Sequence, residues 1–214
     1  MTAQPTDISA PTIAPPTITP LSTDTPSPTV IPTVEPISLQ GVDLNKGLLT
    51  LDDIAFLDLY EPEEWKYCGS DNDLEEWGIV DKESYTKKVG ALLRYPDCTL
   101  TISANPPSRF EIDEYILLAE NSRQAARIAE GMRTVLENMI GTLCCGYTSD
   151  LLSIGDSSIW LIRGNTEREW SYILIVQEEA IIFIDIFGHQ KLVQDDLLDL
   201  ADTAVKKLLS SPLQ

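Results

Sequence analysis

The sequence has a single histidine, His189, and that scarcity limits catalysis before any fold is considered. Serine and cysteine hydrolases need a base to take the nucleophile's proton. No Gly-x-Ser-x-Gly elbow accompanies His189, which reads as a surface-loop residue, so no catalytic residue is assigned. Cysteines are few as well: Cys68, Cys98, Cys144 and Cys145, none in a Cys-x-x-Cys spacing. Adjacent Cys144 and Cys145 would chelate zinc poorly, so a zinc site is not expected. Phosphate-cradling glycine loops are missing, which leaves no seat for a nucleotide, and no cofactor is expected. There is no run of about 20 apolar residues of the kind that crosses a bilayer as a helix. Basic residues number 15 against 34 acidic ones, a formal charge of −19. Such a surface repels phosphate backbones and anionic lipid headgroups, which argues against nucleic-acid binding. It also keeps a protein soluble, while leaving a cationic partner or ion open.

Aromatic residues are absent from positions 1 to 38, where nine of the chain's 14 prolines and nine threonines stand beside only Asp7, Asp24 and Glu35. That composition cannot bury a core, and proline favours extended polyproline II geometry. Residues 1–40 are therefore expected to form a disordered stalk, and residues 41–214 a single globular domain. The Thr25-Pro26-Ser27-Pro28-Thr29 stretch resembles the tethers of bacterial surface lipoproteins, and an O-glycosylated stalk is the alternative. Met1 runs directly into Thr2, Ala3, Gln4 and Pro5 with no basic and apolar leader. This suggests an export signal or anchor removed upstream, the only membrane attachment expected. The expected location is extracytoplasmic, at the cell surface or secreted.

The remaining stretch of about 170 residues is enough for one core. Thr50-Leu51-Asp52-Asp53 offers a capping box, with aspartate for the usual glutamate, to open a short helix. Val89–Tyr95 and Thr99–Ala104 read as a hairpin about Pro96 and Asp97, and Tyr115–Leu118 as a third strand. Ala125, Ile128, Ala129, Met132, Val135, Leu136 and Met139 follow helical spacing up to Gly141, with Asn121 or Ser122 as the cap. Arg123, Arg127 and Arg133 give that helix a basic outer face. Strands are then expected at Ser157–Arg163, Trp170–Gln177 and Ala180–Phe187, the last two apolar on both faces as central strands are. A final helix carries Leu197, Ala201, Ala204, Val205 and Leu208 and stops before Pro212. The fold class is thus α+β: a largely antiparallel sheet of about six strands with packed helices, in the order βββα-βββα after a helical lead-in.

This order, with Leu49-Thr50-Leu51-Asp52-Asp53 near its start and Ile154-Gly155-Asp156-Ser157 before a hairpin and terminal helix, resembles the PsbP-like exported α/β/α sandwich domains. The likeness covers residues 41–210. It implies an accessory or interaction domain of the cell envelope, not an enzyme.

Four cysteines in an exported domain point to disulfides, and bridges from Cys68 and Cys98 to the Cys144–Cys145 pair, or one Cys68–Cys98 bridge, are the candidates. Twelve acidic residues lie between Asp52 and Glu83, against Lys66 and Lys82. Asp71, Asp73 and Glu75 offer calcium ligands at alternate positions, without the glycine and terminal glutamate of an EF-hand. Trp65, Tyr67 and Trp77, interleaved with these acids, form either a recognition surface or part of the core. The function expected first is a non-catalytic interaction or accessory domain that meets an envelope protein. An envelope hydrolase with an unrecognised site, and a small-ligand or calcium-binding domain, are the alternatives.

Overall fold

The computed structural model describes residues 38–57, 65–68, 74–95, 110–143, 147–154, 157–164, 169–188 and 192–212. Contacts divide the chain into Met1–Glu35 and Pro36–Gln214, and every described residue belongs to the second unit. That unit holds one seven-stranded sheet in the order β1-β2-β3-β7-β6-β5-β4, antiparallel at every pairing. The strands are β1 Lys66–Cys68, β2 Lys87–Tyr95, β3 Phe110–Leu118, β4 Tyr147–Ile154, β5 Ser157–Gly164, β6 Glu169–Gln177 and β7 Ala180–Gly188. The helices are α1 Leu44–Gly47, α2 Leu51–Ile54, α3 Ser122–Leu143 and α4 Gln194–Ser210, with single 3-10 turns at Ala55–Leu57 and Lys82–Ser84. This is the expected α+β class with an antiparallel sheet.

The central strands follow from their sequences. In β7, Ile181 and Phe183 belong to one core and Ile182, Ile184 and Ile186 to the other, so the uninterrupted apolar run serves two faces. On the first face the even-numbered side chains of β3 and β7 pack with α4, α1 and the entry segment from Leu39 to Leu57. On the second, Tyr115, Leu117, Ile181 and Phe183 pack with α3 and with Leu74, Ile79 and Val80. Helices therefore cover both sides of the sheet. β6 turns into β7 through Glu178 and Glu179 alone, and Glu178 takes φ 49°, the left-handed region that two-residue hairpins use at their first position.

Several local expectations change. β3 begins at Phe110 and pairs directly with β2, while Thr99–Ala104 lies outside the described residues. β1 and β4 join the sheet at its two edges, which makes seven strands in place of about six. β4 is almost entirely exposed, so Tyr-Thr-Ser-Asp-Leu-Leu carries little of the alternation that marks a half-buried strand. At α3 the cap is Asn121, whose Oδ1 accepts from Gln124 N–H at 2.9 Å. The expected box at α2 is present: Asp53 Oδ2 accepts from Thr50 N–H at 2.7 Å, and the Thr50 hydroxyl donates to Asp53 at 2.5 Å. Leu39, just before the expected domain start, is only 1% exposed and belongs to the core. It is held there by Glu179, which accepts from Ser38 Oγ and Leu39 N–H, and by Gln40 Nε2, which donates to Ala119 O.

Candidate functional site

The aromatic residues picked out by the sequence divide. Trp65 is buried and packs edge-on to Phe110 at 5.6 Å between ring centroids, which makes it core. Tyr67 and Trp77 are exposed. Cys68 is disulfide-bonded; Cys98, Cys144 and Cys145 lie outside the described residues, as do Asp71, Asp73 and His189. Of the calcium candidates Glu75 is described, and both its oxygens are engaged: Oε1 by the Tyr85 hydroxyl and Oε2 by Lys88 Nζ at 2.5 Å. Those bonds tie the segment after Leu74 to the start of β2. Among the described residues no cluster of three or more histidine, cysteine or carboxylate side chains is placed to hold a metal ion.

Sequence reasoning missed a set of acids inside the sheet. Asp113 on β3 and Asp185 on β7 are register partners, 2% and 7% exposed. Side chains directly opposite in an antiparallel pair stand about 5 Å apart at Cβ. Two charges at that range in a dry interior repel strongly, and one proton between them removes the conflict. Burial, followed by the charges of Asp113 and Glu111, accordingly pushes Asp185 well above the usual carboxylate range. Asp113 accepts from the Tyr115 hydroxyl at 3.1 Å, and Glu111 pairs with Arg94 at 2.6 Å. Burial, with the charge of Asp185 adding to it, also raises Tyr172, the β6 register partner of Asp185. The raised Asp185 favours its protonated form, and the two aspartates are too covered to meet a substrate. The signal was a lone acid inside Ile-Phe-Ile-Asp-Ile-Phe, a strand otherwise apolar on both sides.

Glu114 points to the opposite face. Its Oε2 accepts from Leu49 N–H at 2.5 Å and so fixes the entry segment to β3. Burial pushes this carboxyl up to about 8, against the lowering effect of the Leu49 hydrogen bond and of Lys207. Nearby, Lys207 at the end of α4 is bonded to Asp53 of α2.

An open groove lies on the α3 face. It has a volume of about 420 Å³ and runs between α3 and the segment from Gly78 to Ser84. Gly78, at φ 68°, makes the turn that brings Ile79 and Val80 under the helix. Ile128, Met132 and Val135 supply the helix side, and Gly131 leaves a gap between them. Part of the lining is polar: Gln124 Nε2 donates to Ser84 O at 2.9 Å, and the exposed Arg127 lines the groove. Asp81 also borders the groove, with one oxygen accepting from Glu83 N–H to cap the 3-10 turn.

No protein-family model matches the chain, and no curated protein matches it significantly. Among solved structures it is similar to the extracellular domain of PknH from Mycobacterium tuberculosis. The TM-score is 0.54 at 11% identity, and the match covers 83% of this chain and 99% of that one. At this identity the likeness is one of fold.

Proposed function

We propose that the chain is a non-catalytic extracytoplasmic domain, displayed on its proline- and threonine-rich segment and acting by binding. The observation that carries this reading is the fold shared with an extracellular domain over nearly that domain's whole length. Composition supports it: residues 1 to 38 suit a spacer that holds a folded domain away from a surface. The likeness of residues 41–210 to PsbP-like exported domains belongs to the same reading. So does a cell-envelope protein as partner, met through Tyr67 and Trp77, since exposed aromatic side chains are the usual anchors of interfaces.

The location is tested on intact cells of the source. A membrane-impermeant amine label is expected to mark the native protein before lysis. A chain that is labelled only after the envelope is broken overturns the reading.

A further inference from the structure

We propose that the groove beside α3 binds a small amphiphile, an aliphatic chain ending in one carboxylate. The inference rests on the reading of this domain as a binding module and names its ligand class.

Size comes first. A volume of about 420 Å³ falls in the range of small-molecule sites, roughly 300–1,000 Å³, and is too small for a folded partner. The apolar lining is aliphatic: Ile128 and Val135 stand half-exposed along the groove above the buried Ile79, Val80 and Met132, with no aromatic ring to stack a flat heterocycle. Gly131 leaves the groove open at this exposed position, because a Cβ placed there meets no atom within 4 Å. Glycine in the middle of a helix costs about 1 kcal/mol relative to alanine, so a helix of 22 residues that keeps one at the groove gains space at the expense of stability. These features describe a slot for a chain of methylenes.

The headgroup is selected locally, against the repulsion that the net charge of −19 exerts on any anion. Carboxylates outnumber bases in this protein by 34 to 15, and several basic groups are held by one: Arg133 bridges Glu130 and Glu137, Lys88 takes Glu75, and Lys207 takes Asp53. Arg127, an exposed residue that lines the groove, makes no ion pair among the described residues. A guanidinium offers a fork of donors that matches a carboxylate. The neighbouring Gln124 is already fixed, donating to Ser84 O and accepting from Glu120 N–H, so the rim is preorganised. Asp81 disfavours a second negative charge, which limits the ligand to one.

Decanoate, below its micellar concentration, is titrated calorimetrically into the full chain. One saturable site is expected. Arg127→Gln, a change on an exposed side chain, is expected to weaken it about fivefold, the worth of a solvent-accessible ion pair. Gly131→Leu fills the gap and is expected to abolish binding with the melting temperature unchanged or raised. Decyltrimethylammonium, with the same chain and the opposite charge, is expected to bind at least tenfold more weakly. Absence of saturable binding, equal affinity for the two amphiphiles, or full affinity in both variants overturns the proposal. Such a result leaves the extracytoplasmic reading standing, whereas a domain sealed from the label on intact cells overturns that reading and leaves the groove's chemistry untouched.

Discussion

On the α4 face of the sheet, Leu197, Leu200, Ala201, Ala204 and Leu208 are all fully buried, and the entry segment is bonded down over them through Glu114 and Lys207. On the α3 face, Ala125, Ala129, Met132 and Leu136 are buried just as deeply, but Ile128 and Val135 on the flank of the same helix stay half-exposed along an open groove. Both helices are amphipathic, so the difference does not come from the helices. It comes from what is laid beside them. α4 has α1 against its flank and α2 tied to it through Lys207 and Asp53, whereas on its groove side α3 meets, among the described residues, the turn-rich segment from Leu74 to Ser84, which touches it at Ile79, Val80 and Ser84 and leaves a slot between. One face is closed over by these elements, and the other is left open along the groove.

The comparison breaks most visibly in stability. Leu200→Ala removes a fully buried side chain from the closed face and is expected to cost about 2–5 kcal/mol, whereas Ile128→Ala on the groove wall is expected to cost about 1 kcal/mol or less. Denaturant titration of the two variants checks this. Equal losses would mean that the groove wall is packed as tightly as the α4 core.

Next in size is the response to pH, where the two faces are expected to agree in sign. Glu114 on one face and Asp185 on the other are both raised, Glu114 to about 8, so the folded state holds protons that the unfolded state releases. Their contribution is fully present below the ordinary carboxylate range and is lost as pH rises, for Glu114 between about 4.5 and about 8. Glu114→Gln keeps an acceptor for Leu49 N–H and has no proton to lose. Its stability relative to the native chain is expected to be near zero at pH 4 and to grow by several kcal/mol toward pH 8, read from melting curves. Asp185→Asn shifts the same way. A pH-independent difference would mean that the carboxyl ionises freely in the fold.

How far these regions were legible follows from where their signals sit. β6, β7, α3 and α4 declare themselves because each is long and buried on a fixed period: Ile-Leu-Ile-Val, Ile-Ile-Phe-Ile, and the alanine-rich helical stripes. β4 hid because an exposed edge strand has little reason to alternate, and β1 because three residues cannot show a period. At the candidate site the basic face of α3 was visible, including Arg127, but the groove was not, since its other wall is a turn-rich segment placed by Gly78 and by the bonds of Glu75. The buried acids leave no sequence signal of their pairing, because Asp113 and Asp185 lie 72 positions apart and only the strand register brings them together.

A smaller effect separates the faces at two glycines. Gly188 pairs with Phe110 on the closed side, and a Cβ there would come within 2.2 Å of the phenylalanine ring. Phe110 is itself fully buried between Trp65 and the sheet and has nowhere to retreat. Gly188→Ala is expected to cost about 1–3 kcal/mol, the usual penalty for overpacking. An unchanged melting temperature would show that the ring can yield and that this corner of the core is looser than its burial implies.

Gly131→Ala gives the smallest change, and the opposite sign. Position 131 is exposed, in the interior of α3, and a Cβ built there meets nothing within 4 Å. The substitution therefore adds no clash and removes backbone freedom from the unfolded chain, which is worth about 0.4–1 kcal/mol. For a protein of this size that corresponds to a rise in melting temperature of about 1–4 °C. A fall instead would mean that the space over Gly131 is filled in the folded protein, and the contrast between a closed and an open face would fail at the residue on which it most depends. A rise accompanied by weaker decanoate binding would tie the glycine to the groove, because a methyl group that helps the helix would then be seen to hinder the ligand.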